Sequence, residues 1–309
     1  MLFEQDQVSG EYRCIYSDPL GYFGPVTSTW GSNLLTTHDE ILFASLSARP
    51  LRLYQHCPGE ADQVRFLGEI AIPSQGDNME FADVAMYGDY LFVAEAHHAP
   101  LAVPDSGQIH VYQWKQGDLN TCPNQPSLLN PPQYLGAFGA DVIPHTLLMD
   151  PPRNRLIVGC TSKVTFPIKE GAVLFYDLTS FSPAHPADMD QHRASRSPAP
   201  SMRVTYPNVH GLALSPNGDS LYVADPDNGL YQYSLSQEAY IGFYPAQRGA
   251  TSQAIEPQMV RSPHNVVPLH TPITVALSPS GKIMVQEHVT GRVSILLSNR
   301  FQVYLPLVR

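Results

Sequence analysis

The sequence predicts an all-β protein assembled from five copies of one four-stranded unit, and three observations carry that prediction. An apolar strand, a turn built on Pro, Asn, Gly or Asp, and a second apolar strand ending on a small or acidic residue recur along the chain. Each such pair is followed by two more segments rich in β-branched and aromatic residues and bounded by turn formers, the composition of pleated strands. No segment sustains a 3.6-residue apolar period over the dozen or so positions that an amphipathic helix needs.

The strand pairs run, in order, over Trp30–Ser45 (WGSNLLTTHDEILFAS), Ala82–Glu95 (ADVAMYGDYLFVAE), His145–Cys160 (HTLLMDPPRNRLIVGC), His210–Asp225 (HGLALSPNGDSLYVAD) and Ile273–Glu287 (ITVALSPSGKIMVQE). Their second strands align on Ile41, Leu91, Leu156, Leu221 and Ile283. Third strands are expected at 50–55, 107–114, 171–178, 229–235 and 291–297, and fourth strands at 64–72, 133–140, 202–208, 238–245 and 300–306. One such unit cannot bury both its faces, so repetition implies stacking of the units on each other. Repeated radially, four-stranded meanders are the blades of a β-propeller. A single propeller domain over 1–309 is therefore expected, with five blades, or six if the N-terminal run belongs to a mixed blade. That run, YRCIYSDPLGYFGPV (12–26), echoes a fourth strand and is expected to close the ring against the first or last blade.

The SPNG and SPSG turns and the strand ending YVAD resemble the NHL-repeat, YncE-like and SMP-30 lactonase-like propeller superfamily. The resemblance implies the propeller fold and admits either hydrolysis and related acid–base chemistry or non-catalytic binding. The Glu and Asn metal pattern of the lactonase branch is not reproduced on the strand starts.

Bulk properties narrow the partners. The chain has 309 residues, 43% hydrophobic and 15% charged, with a net charge of −10. An acidic chain lacks the basic surface that phosphate neutralisation requires, so nucleic acid is not expected as a partner. No stretch reaches the roughly 18 apolar residues of a membrane-spanning helix, and the N-terminus lacks the basic and apolar regions of an export signal. A cytoplasmic location is expected, although a removed export signal would leave the same picture. The oligomeric state is open. The four cysteines show neither zinc-finger spacing nor a disulfide framework.

Two Pro-, Ser- and Asn-rich stretches, 118–133 and 180–201, are expected as surface loops on one rim. Long loops at 95–108, 160–171 and 246–272 fall on the other, and the last of them is expected to be a lid. Titratable residues concentrate on this second rim. His145 and His210 occupy the same place at the start of the first strand in two successive units, where Trp30, Ala82 and Ile273 stand in the others. Second strands end on Ser45, Glu95, Cys160, Asp225 and Glu287; His97, His98, Lys163 and His288 lie just beyond, His264 and His270 lie in the lid, and Glu80 precedes Ala82.

Imidazoles with carboxylates permit two kinds of chemistry. They can hold a divalent metal with an open position for substrate, or act without metal as general base and acid. The expected function is a small-molecule enzyme of hydrolase, lyase or isomerase type. His145, His210, Glu95 and Glu287 are its catalytic candidates, with His145 and His210 as metal ligands if a metal is used. His97, His98, Lys163, Asp225, His264, His270, His288, Trp30 and Glu80 are candidates for substrate contact. Against this stands a turn-building role for Asp225. The alternative of another class is a non-catalytic propeller presenting its loops to a protein or glycan. No nucleotide or organic cofactor is indicated. His38, His56 and His110 are expected to be structural.

Overall fold

The computed structural model describes residues 2–5, 12–16, 34–38, 41–45, 51–56, 64–70, 79–97, 106–114, 131–139, 143–160, 171–191, 204–206, 209–226, 228–245, 272–277, 282–287, 292–296 and 302–306. Among them the regular structure is antiparallel β, with 3-10 turns and no α-helix. β1 (Leu2–Gln5) and β2 (Tyr12–Tyr16) form a two-stranded ladder. The first four-stranded sheet holds β3 (Leu34–His38), β4 (Ile41–Ser45), β5 (Leu51–His56) and β6 (Val64–Ile70). β7 (Met79–Tyr87), β8 (Tyr90–His97), β9 (Ser106–Gln113) and β10 (Gln133–Phe138) make the second. In the third are β11 (Pro144–Asp150), β12 (Arg155–Cys160), β13 (Gly171–Asp177) and β14 (Val204–Tyr206). The fourth comprises β15 (Gly211–Leu214), β16 (Ser220–Asp225), β17 (Gly229–Ser234) and β18 (Ala239–Pro245). β19 (Pro272–Leu277), β20 (Ile283–Glu287), β21 (Arg292–Leu296) and β22 (Gln302–Pro306) complete the fifth.

Every four-stranded sheet is a meander in chain order, with its strands where the turn and alternation pattern placed them. The N-terminal run differs from expectation. The described ladder of β2 is to β1, with Phe3 opposite Cys14 and Gln5 opposite Tyr12, and not to the first or last sheet. Two apolar-polar segments separated by a short loop pair at a small closure cost, which a partner far along the chain does not offer.

Chain contacts divide the molecule into two compact units, residues 1–141 with 183–187, and residues 142–182 with 188–309. The first unit holds the two-stranded ladder and the first two sheets; the second holds the other three. In the first unit Leu51, Leu53, Leu67 and Ile70 pack with Phe81, Val84, Leu91, Val93, Tyr112 and Trp114. In the second unit Ile157, Val173 and Phe175 pack with Val209, Leu212, Leu221, Val223 and Tyr231, and Ala213, Tyr222 and Leu230 with Val275, Ile283 and Val285. Burying each such side chain contributes about 1.5–3 kcal/mol. Residues 156–160 of β12 and 221–225 of β16 are buried throughout, because interior strands are covered on both faces.

Turn chemistry explains the hairpins. Between β15 and β16, the Asn217 carboxamide oxygen accepts the Asp219 backbone N–H at 3.2 Å, and Gly218 takes φ +71, a left-handed conformation that favours glycine. Between β11 and β12, Pro151–Arg153 form a 3-10 turn closed by Asn154 at φ 47. These two turns are stapled together. The fully buried Asp150 carboxylate accepts from Arg155 at 2.8 Å and from Arg153 at 3.3 Å, while Arg153 also donates to the Gly218 carbonyl at 2.8 Å.

Within the 180–201 stretch, residues 186–191 form a 3-10 segment in which Pro186 and Met189 are buried. Composition averaged over the stretch concealed these two apolar anchors. The lid segment lies outside the described residues except for Pro272, which opens β19. Among the described residues no helix is long and apolar enough to cross a membrane.

Candidate functional site

In the second unit, β11 and β12 are out of step at their open end. Pro144 faces Cys160 and Thr146 faces Gly159, which leaves His145 as an extra residue in a β-bulge. The same step isolates Ala82 between Phe81 and Asp83, and Ile273 between Pro272 and Thr274. His210 behaves alike: its backbone N–H donates to the Ala224 carbonyl at 3.0 Å while Gly211 is also opposite Ala224. Ala82, His145 and Ile273, aligned by sequence alone, thus share a backbone irregularity, and a bulge turns its side chain away from the ordinary alternation.

The bulge brings two imidazoles together. The His145 and His210 ring centroids are 4.3 Å apart with planes inclined by 35°, and both residues are only partly buried. Two imidazolium charges at such a separation would repel by about 4 kcal/mol at an effective dielectric of 20. The stapled turns at Asp150 and Gly218 lie at the opposite ends of the strands and hold β11 beside β15.

The other candidates fall into three groups. Asp225, at the end of β16, is fully buried and builds a turn: it accepts the Asn228 backbone N–H at 3.1 Å and the Asn228 side-chain amide at 2.7 Å. Cys160, in the matching place on β12, is buried. Glu80 and His97 stand on the paired ends of β7 and β8, and Glu287 ends β20 opposite Pro272. Trp30, His98, Lys163, His264, His270 and His288 lie outside the described residues.

Glu95 belongs to a different constellation, in the first unit. Its carboxylate meets Nε2 of His110 and accepts from the Gln108 amide at 3.3 Å. The register places Glu95 opposite Gln108 and Val93 opposite His110, so all four share one face of the second sheet. Glu95 and His110 are 4% and 0% exposed, which makes this a buried pair and not a rim group. Among the described residues Nδ1 of His110 has no hydrogen-bond partner. The Tyr134 ring, itself exposed, covers the cluster at 5.8 Å from His110 and 5.3 Å from Tyr112. Burial first, then Tyr134 and the Glu95 charge, hold the Tyr112 hydroxyl far above the usual tyrosine range, and burial and Glu95 raise Tyr134. His110 was expected to be structural on an outer strand, yet β9 is interior to its sheet. The signal was available in Gln108 and His110, two polar residues at alternate positions that share a face with Tyr112.

Two imidazoles are two of the three protein ligands that a catalytic zinc takes. Among the described residues no group of three or more His, Cys, Asp and Glu side chains could hold a metal ion. Comparison of the chain with protein-family models and with curated proteins returns no match.

Proposed function

We propose that the chain is a single five-bladed β-propeller and a small-molecule enzyme, with His145 and His210 as the acid–base pair of its site. The observation that carries this reading is the 4.3 Å approach of two partly exposed imidazoles, one in a bulge at the start of β11 and the other just before β15. The His110 ring is wholly covered, with Nε2 against Glu95, whereas these two rings are partly exposed near the strand starts. In a substrate complex one imidazole would take a proton from water or substrate, and the other would return one to the leaving group. That pattern suits hydrolysis of an activated ester or lactone, or an elimination or isomerisation beside a carbonyl. Glu287, which ends β20 in the same unit, is the carboxylate proposed to orient the pair.

The test measures turnover by the purified chain on a panel of esters, lactones and hydroxy acids, alongside His145→Ala and His210→Ala. The expected result is activity in the parent that falls by 10²–10⁴-fold in each variant while the melting temperature moves little, the range typical of a lost general acid or base. Metal content by mass spectrometry, with and without chelator, separates the acid–base reading from a metal-assisted one. Folded variants that match the parent on every substrate would reduce the histidines to packing residues and leave the non-catalytic binding propeller as the surviving reading.

A further inference from the structure

Gly159 lies on β12 directly opposite Thr146, the neighbour of His145. A Cβ placed on it would stand 2.5 Å from Cγ2 of Thr146 and 2.5 Å from Cγ1 of Val209, the neighbour of His210. Both distances are far inside van der Waals contact, and both clashing side chains are buried, so neither can swing away into solvent. One missing methyl group thus sets how closely the two histidine-bearing segments approach each other.

The sheet itself does not require glycine here. The residues equivalent by repeat alignment are Ala44, Ala94, Ala224 and Gln286 in the other four sheets. Two of these, Ala94 and Ala224, are fully buried with their methyl groups accommodated. Nor is Gly159 among the glycines at positive φ, so its backbone suits any residue. What excludes a side chain at 159 is the pair of residues that flank the histidines, Thr146 and Val209.

We infer that Gly159 is the positioning residue of the His145/His210 pair. It lets Val209 and Thr146 close over β12, and the rings meet as a result. This rests on the proposed role of the pair only for its functional meaning; the spacing can be read without any substrate.

The experiment is an NMR titration of the imidazole Cε1–H signals in the full chain, with His145→Ala and His210→Ala for assignment. In the parent, each ring is expected to sense the other as a two-step titration and as a ring-current displacement lost when its partner is removed. In Gly159→Ala the mutual displacement should disappear and each ring titrate in one step. Gly159→Ala combined with Thr146→Ser and Val209→Ala removes the atoms that the new methyl strikes, and should restore both signs of proximity. Ala94→Gly, at the equivalent place in the other unit, should leave them unchanged. A folded Gly159→Ala whose rings remain coupled overturns the inference. So does a triple variant that stays uncoupled or fails to fold, which also decides the matter if Gly159→Ala alone does not fold. A chain with coupled rings but no activity overturns the enzyme reading and leaves this one standing.

Discussion

His110 lies on an interior strand with its whole ring buried and Nε2 against the Glu95 carboxylate, whereas His145 stands in a bulge at the start of β11 and His210 just before β15, partly exposed and ring against ring. The difference follows from backbone register. β8 and β9 pair in step from Tyr90 to His97, so Glu95 and His110 fall on the face that packs against the first sheet, where the carboxylate and Nε2 meet. β11 and β12 slip by one residue at Pro144, and the slipped residue is freed from the ladder. A titratable pair in regular register is thus committed to the core, and one at a bulge is presented to the strand end. Glu95, read from the sequence as a catalytic candidate, shares its face with His110 and Gln108 for this reason.

The strongest way to break the contrast is to remove one member of the buried pair. Glu95→Ala or His110→Ala leaves the other group buried and uncompensated, and stability should fall by about 3–5 kcal/mol. Urea unfolding of each variant checks this; a loss near zero would show that the pair is not buried as described.

Alkaline titration sharpens the same contrast. Tyr112 and Tyr134 hold their protons above the unfolded tyrosine range near pH 10, through burial and the Glu95 charge. The folded chain therefore keeps protons that the unfolded chain has released. This contribution is fully present below about pH 10 and is lost as the pH rises further. Tyrosinate absorbance should lag behind that of the unfolded chain, and Glu95→Gln should reduce the lag. Titration of all tyrosines together near pH 10 in the folded state would contradict it.

At the bulged pair the expectation reverses. His145→Ala and His210→Ala should each cost about 1 kcal/mol of stability, because neither fills a core position, while turnover is lost. Calorimetry alongside the substrate panel separates the two effects; unfolding of both variants would place these histidines in the same class as His110. The smallest effect is expected at Gln108. Its 3.3 Å bond to Glu95 is long, and Gln108→Ala should cost no more than about 0.5–1.5 kcal/mol in the same urea assay.

The strands were legible because their signals are local. Alternating apolar residues, Pro-Asn-Gly turns and continuous apolar runs placed the four-stranded meanders, the Asn217–Gly218 turn and the buried second strands. The equivalence of His145 with His210 was legible for the same reason, since repeats align position by position. Asp225 carried a local cue as well, and its bonds to Asn228 are those of a turn. Met189 and Pro186 were hidden because a composition averages over single anchors. The pairing of β2 with β1 was hidden because an alternating segment does not name its partner strand.

What the sequence by itself determined is which segments are strands, where they turn and which titratable residues repeat. Tertiary structure alone decided what those residues touch. A shift of one residue between neighbouring strands exchanges the two faces of a sheet. Whether Glu95 meets His110, whether His145 leaves its ladder and whether Gly159 admits Val209 therefore depend on registers and close approaches that no local pattern encodes.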